Sequence, residues 1–250
     1  MIQLGPLTLG TRPHLVAAVS DDVAERDAES AVAAGVDLFE LRIDQFSSAA
    51  PDDVRQVSQR LRPAPLLATI RVAAEGGAWA RDEQARLALF TAILPHVDAV
   101  DVELSAKEIL PEVVEAAHAA GRLVIGSYHN FEATPIPEKL AGFTNDAKLL
   151  GVDIVKVAAY CNTQVDVQTL ARFTVEHAAK HLITIGMGPH GMLTRLFFPA
   201  LGSLLTYTYL GAATAPGQLT CSQTIQYLTD FYPDFRQEDV SSGESQTPTV

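Results

Sequence analysis

Eight short apolar runs recur along the chain, and they alternate with stretches whose apolar residues fall at helical spacing. The runs are "HLVAAVS", "LFELRID", "PLLATIR", "AVDVEL", "RLVIGSYHN", "VDIVKVAAY", "LITIGMG" and "LTYTYLG". Their β-branched and small-residue bias suits strands buried on both faces. The intervening segments, "DDVAERDAESAVAAG" and "PEVVEAAHAAG" among them, are rich in alanine and glutamate, and glycines at 35, 121 and 151 stand where helices end. Eight strands alternating with helices in a chain of 250 residues predict an α/β protein, a (β/α)8 TIM barrel. A doubly wound sheet shares the local pattern and is the competing architecture.

Length alone allows one large domain or two ordinary ones. No low-complexity linker divides the chain and no sequence-level repeat stands out, so a single domain over 1–235 is expected. The end, "RQEDVSSGESQTPTV" over 236–250, loses its apolar content and reads as a disordered polar tail. The net charge is −12 with no lysine or arginine run, which argues against nucleic-acid binding and against adsorption to anionic membranes. Any anionic substrate must then find positive charge inside a cleft. The N-terminus lacks a basic start and a long apolar core, so no signal peptide is read. The apolar stretch "LFFPALGSLLTYTYLGAATA" is broken by Pro199, Gly202 and hydroxyl residues, and reads as a buried helix and strand rather than a membrane span. Cys161 and Cys221 form no C-x-x-C pair, and free thiols in a reducing cytosol are expected.

A barrel of this kind builds its active site at the C-terminal ends of its strands. The polar residues at those ends are Glu40, Arg42, Asp44, Arg71, Glu103, His129, Asn130 and Lys156, with the turn after "LITIG". Lys156 is the most telling, because an ammonium inside an apolar strand is costly unless paired or neutralised. One reading is structural, a lysine ion-paired to a residue such as Glu103. The other is chemical, a desolvated amine that attacks a carbonyl to form a Schiff base. His129 ends the preceding run. Alone it reads as a satisfied structural histidine; beside a buried lysine it reads as a general acid/base.

"GMGPHG" matches G-x-G-x-x-G, but no acidic residue stands between His177 and Thr229 to hold a ribose. A tight turn that lets Arg195 and the backbone receive an anion fits better, with a plain turn and a surface arginine as the alternative. "TAPGQL" offers Thr214 and Gln218 as hydrogen-bonding groups, or is simply a turn. His177 and His181 have the spacing of a metal pair but lack the glutamate of H-E-x-x-H, so a solvated helix face is the better reading.

Taken in order, "ELRID", "ATIR", "EGG", "VDVEL", "SYHNF", "VKVA", "MGPHG..TR" and "APGQ" resemble the type I 3-dehydroquinate dehydratase family over nearly the whole chain. The resemblance implies a (β/α)8 barrel, a cytoplasmic homodimer, and chemistry without metal or cofactor. It implies dehydration of 3-dehydroquinate to 3-dehydroshikimate, in the shikimate pathway of aromatic amino-acid biosynthesis. Residue by residue, Lys156 matches the Schiff-base lysine, His129 the acid/base, and Glu75 a glutamate that orients that histidine. Glu40, Arg42 and Arg71 match contacts to the ring hydroxyls, with an ion-pair network across strands as the alternative. Arg195, Thr214 and Gln218 match residues that hold the substrate and close a lid. The chain departs from the family with Thr214 and Thr194 in place of serines, and with Pro189 and His190 in the turn. The rival functions are another lysine-dependent barrel enzyme, such as a class I aldolase, and a non-catalytic barrel that only binds a ligand.

Overall fold

The computed structural model describes residues 1–62, 64–213 and 215–236; Pro63, Thr214 and the polar stretch from 237 onward lie outside them. The chain opens with a hairpin, β1 (Ile2–Leu4) and β2 (Leu7–Leu9). Eight strands follow, one in each apolar run: β3 (His14–Val19), β4 (Leu38–Arg42), β5 (Leu66–Thr69), β6 (Ala99–Glu103), β7 (Leu123–Asn130), β8 (Ile154–Tyr160), β9 (Leu182–Met187) and β10 (Leu205–Tyr209). They pair in parallel in chain order, and β10 returns to pair with β3. The remaining seam is drawn together by the Leu204 N–H, which donates to the Leu182 carbonyl at 2.8 Å. Sequential order and return to the first strand are the barrel and exclude the doubly wound sheet.

The helices α1 (Glu25–Ala34), α2 (Pro51–Leu61), α3 (Glu83–Ile93), α4 (Leu110–Ala119), α5 (Pro137–Leu149) and α6 (Gln164–His177) fill the crossovers up to β9. Two single turns, α7 (Gly188–Gly191) and α8 (Thr194–Phe197), follow β9, and α9 (Cys221–Phe231) follows β10. The helix expected in "LFFPAL" is therefore only α8 and a 3₁₀ turn over Phe198–Leu201 before β10.

Strand parity divides the core in two. In β6, Val100 and Val102 face the helices, while Ala99, Asp101 and Glu103 face the barrel axis; β8 does the same with Val155 and Val157 against Ile154, Lys156 and Ala158. An apolar layer of Leu38, Leu67, Ala99, Ile125, Ile154, Ile183 and Leu205 fills the N-terminal half of the interior, with Leu4 and Leu9 of the hairpin packed onto it. The hairpin lies at that end of the barrel: Gly5 sits beside Asp98 and Pro65, and His14 Nε2 is 3.1 Å from the Thr8 carbonyl. Strands of three residues are too short to show a period, so sequence patterning passes over them.

A short repeat becomes visible once the strands are aligned. Val-Asp stands immediately before β4, β6 and β8, as Val36-Asp37, Val97-Asp98 and Val152-Asp153. Each aspartate accepts the backbone N–H of a residue on the preceding strand: Leu15 at 2.7 Å, Leu66 at 2.8 Å and Val124 at 2.7 Å. Its own N–H donates back to the carbonyl of that same residue, at 2.9, 2.8 and 3.0 Å. A basic side chain meets each carboxylate as well, Arg12, Arg62 and His118 in turn. Register between these strand pairs is thus pinned at the barrel floor. Three residues beyond each aspartate, on the inward parity, stand Glu40, Asp101 and Lys156.

Candidate active site

Those three side chains meet above the apolar layer. Lys156 is 4% exposed, and its Nζ lies 2.9 Å from Asp101 Oδ2 and 3.5 Å from Glu40 Oε1. The Tyr207 ring, from β10, has its centroid 4.4 Å from the same nitrogen. The buried ammonium is therefore paired, but with Asp101 rather than with Glu103, the partner expected from sequence. Glu103 is two residues further along β6 and is committed elsewhere: it accepts from Arg71 Nη1 at 2.8 Å and from Arg86 Nη1 at 2.5 Å.

Arg71 ties the floor of the site together. Its Nη1 also donates to Ser127 Oγ at 2.8 Å, and its Nη2 to Asp101 Oδ1 at 2.7 Å. These carboxylates raise the Arg71 pKa against the opposing effect of burial. Asp101 is held well below the usual carboxylate range: Arg71 and Lys156 outweigh the desolvation that pushes it up. Sequence reading missed Asp101 and Arg86. The signal for Asp101 was present, since an aspartate at Glu103's parity inside "VDVEL" shares its face. Arg86, fully buried in α3, carries no motif.

Beyond β5 the chain turns through Ala73–Glu75 and folds back over the strand end. Gly77 is required here, since a Cβ would stand 2.0 Å from the Arg71 carbonyl oxygen. Arg42 and Asp44 brace this turn: Arg42 donates to Asp44 at 3.1 and 2.9 Å, and Asp44 accepts the Ala78 N–H at 3.1 Å. The turn delivers Glu75, buried at 8% exposure, to His129. Glu75 Oε1 accepts from Ser105 Oγ at 2.6 Å, and Oε2 lies 2.9 Å from the His129 backbone nitrogen and 3.2 Å from its Nδ1.

Burial raises the Glu75 pKa, and burial first, then Arg71 and Lys156, pushes the His129 pKa well below the ordinary histidine value. The imidazole is neutral near pH 7. A carboxylate only accepts hydrogen bonds, so the hydrogen belongs on Nδ1, and Nε2 keeps its lone pair for proton transfer.

Glu40 accepts from Thr69 Oγ1 at 2.9 Å as well as facing Lys156. Glu40 and Arg71 accordingly belong to an ion-pair network across strands, whereas Arg42 pairs with Asp44 two residues further on; all three line the cavity. That cavity, with about 510 Å³ free of protein atoms, is also lined by Glu75, His129, Lys156, Tyr207, Arg195 and Gln218.

Arg195, in α8, is 3% exposed; its Nε donates to the Gly217 carbonyl at 3.2 Å and its Nη1 to the Tyr207 carbonyl at 3.3 Å. Among the described residues no carboxylate lies within ion-pair distance of it, and burial pushes its pKa down to about 10. Gln218 Oε1 accepts the Ala215 N–H at 3.1 Å. Thr214 lies outside the described residues.

The G-x-G-x-x-G stretch forms the single turn α7, and Thr194 explains its shape. The Thr194 hydroxyl accepts the Gly186 N–H at 2.8 Å and donates to the Gly191 carbonyl at 2.7 Å. Thr194 is thus a strut beneath Arg195, while His190 is exposed and lies 3.3 Å from Gln164 Nε2. Asn130 leaves the site as well: its Oδ1 accepts the Glu132 and Ala133 N–H groups and caps the following loop.

Residues 15–233 match the family model described as type I 3-dehydroquinase. A 3-dehydroquinate dehydratase from Methanosarcina acetivorans is 35% identical over 230 residues, covering 88% of this chain and 95% of the relative. One from Thermodesulfovibrio yellowstonii is 36% identical over 186 residues, covering 74% and 81%. The crystal structure of 3-dehydroquinate dehydratase from Geobacillus kaustophilus superposes with a TM-score of 0.83 at 28% identity, covering 91% of this chain and 96% of that one. The type I enzyme from Clostridium difficile, solved with covalent modified comenic acid, gives 0.83 at 28% identity over 93% and 98%. With the barrel, the extent of the match and the identity all in agreement, this chain belongs to the type I 3-dehydroquinase family.

Proposed function

We infer that this protein is a hydro-lyase that dehydrates 3-dehydroquinate to 3-dehydroshikimate, in the shikimate pathway of aromatic amino-acid biosynthesis. The observation that carries the residue roles is the placement of Lys156 Nζ, buried between Asp101 and Glu40 in the same cavity as a neutral His129.

The amine attacks the ring ketone once it has given up a proton, and the uncharged imidazole of His129 is the acceptor beside it. His129 returns that proton to the carbinolamine hydroxyl, which leaves as water, and the protonated imine that remains acidifies the neighbouring carbon. His129 removes the proton there, an enamine forms, and the β-hydroxyl departs as water with the proton His129 returns. Water then hydrolyses the imine and frees Lys156. Glu75 fixes the imidazole orientation and tautomer throughout.

Arg195 holds the substrate carboxylate. A buried guanidinium without an acidic partner among the described residues gains most from an anionic ligand, and its planar fork suits a carboxylate. Glu40, Arg42 and Arg71 address the ring hydroxyls, with Gln218 at the mouth. The role of Thr214 rests on the family resemblance alone. Among the described residues no helix is long and apolar enough to cross a membrane. A cytoplasmic homodimer is the arrangement the resemblance favours.

Borohydride reduction in the presence of 3-dehydroquinate tests the assignment. A ligand-sized mass is expected on the peptide carrying "VKVAAY", with product absorbance in the ultraviolet before reduction. An adduct on Lys148 or Lys180, or none, overturns the role of Lys156. Carbon–carbon cleavage would instead indicate an aldolase, and ligand binding without turnover a binding protein.

A further inference from the structure

Tyr207 was singled out neither by the motifs nor by the resemblance. It faces the barrel interior from β10, is 3% exposed and lines the cavity that holds Lys156. Its phenolic oxygen is buried and has no hydrogen-bond partner among the described residues. Buried hydroxyls in folded proteins are nearly always paired, so an orphan at the wall of a site marks a group awaiting a ligand. Nζ of Lys156 lies over the face of this ring, 4.4 Å from its centroid.

We propose that the Tyr207 hydroxyl is a catalytic hydrogen-bond donor to the substrate oxygen on the carbon that Lys156 attacks. That oxygen begins as the ketone, becomes the carbinolamine hydroxyl and leaves as water. It is two bonds from Nζ once the adduct forms, and so stands close to the ring over which that nitrogen lies. A donor at this point stabilises the negative charge that develops on the oxygen during attack and steadies the hydroxyl as it is protonated and departs. The proton that completes the water is the one His129 took from Lys156; the phenol only donates a hydrogen bond. Burial, with Glu40 and Asp101 nearby, pushes the Tyr207 pKa well above its ordinary value, so the group stays a donor across the working range.

The inference rests on the imine reading of Lys156, and Tyr207→Phe separates the two. This variant removes one oxygen and keeps the ring. Because the lost hydroxyl has no partner in the unliganded protein, the melting temperature should hold or rise. The rate at which borohydride traps the adduct on Lys156 in a single turnover should fall roughly 3- to 10-fold, the range of one hydrogen bond. The kinetic isotope effect from deuterium on the carbon His129 deprotonates should shrink, because an earlier step has become slower.

A lowered melting temperature with unchanged trapping would make the hydroxyl structural and overturn the proposal. Equal trapping rates and equal isotope effects in parent and variant would do the same. Failure of the parent itself to trap on Lys156 would remove the imine reading, and the role of Tyr207 with it.

Discussion

One oxygen of Glu75 holds His129 twice, through the backbone N–H at 2.9 Å and at 3.2 Å from the ring Nδ1. The carboxylate therefore fixes the strand end and the imidazole together, and any loosening of one is felt by the other. Glu75→Gln keeps the shape and one acceptor oxygen but removes the charge. With the amide nitrogen turned toward Ser105, KM and thermal stability should stay near those of the parent. A charge-assisted hydrogen bond is worth about 1.5–3 kcal/mol, so kcat should fall roughly 10- to 150-fold. Unchanged kcat would show that Glu75 serves only the backbone.

His129 should titrate below the ordinary histidine value when followed by NMR of its ring protons in the unliganded enzyme. Its pKa is depressed on folding, so the unfolded chain binds more protons in that window. Its contribution to stability is complete above about 6.5 and is lost as pH falls below that value. Glu75 shifts upward and works in the opposite direction over its own range, so the measurement has to resolve the individual residue. A titration at or above 6.5 would contradict the desolvated environment described for the imidazole.

Asp101→Asn should be the most damaging of these substitutions for stability. It leaves Arg71 and Lys156 buried with one compensating charge fewer, and breaking a buried ion pair from one side costs about 3–5 kcal/mol. Denaturant unfolding of the variant against the parent measures this. A loss under about 1 kcal/mol, the scale of an exposed pair, would mean that water reaches the site.

Arg195→Lys should raise KM more than it lowers kcat, because a point charge replaces a planar fork. A variant with the KM of the parent would make Arg195 a structural residue.

Thr194→Val should destabilise the turn after β9 without touching the reacting atoms. It strands the Gly186 N–H and the Gly191 carbonyl, each at about 1–3 kcal/mol when buried and unpaired. Thr194→Ser, which restores the hydroxyl, should recover most of the lost melting temperature. Equal stability of valine and threonine would show that the turn does not depend on the hydroxyl.

The eight strands were legible because each is a short, mostly apolar run, and the lysine in the sixth was legible because a buried ammonium is costly unless paired or neutralised. The partner of that lysine was not. Glu103 and Asp101 share one face of one strand, and only the height of Lys156 in the barrel decides between them. The charge network reached further than motifs can, since Arg86 arrives from α3 with nothing in its neighbours to mark it. Thr194 was legible as a departure from the family but its part in the turn was not, because a hydroxyl that braces a turn and one that touches a ligand look alike in a sequence. The hairpin at the N-terminus escaped for want of length.

The three Val-Asp steps at the barrel floor separate address from content. Each aspartate fixes how far up the interior the third residue beyond it will stand, whatever that residue is. So long as the aspartates that number the floors are left in place, an exchange at 40, 101 or 156 changes which side chain is presented at a set height and leaves the backbone bonds between the paired strands intact.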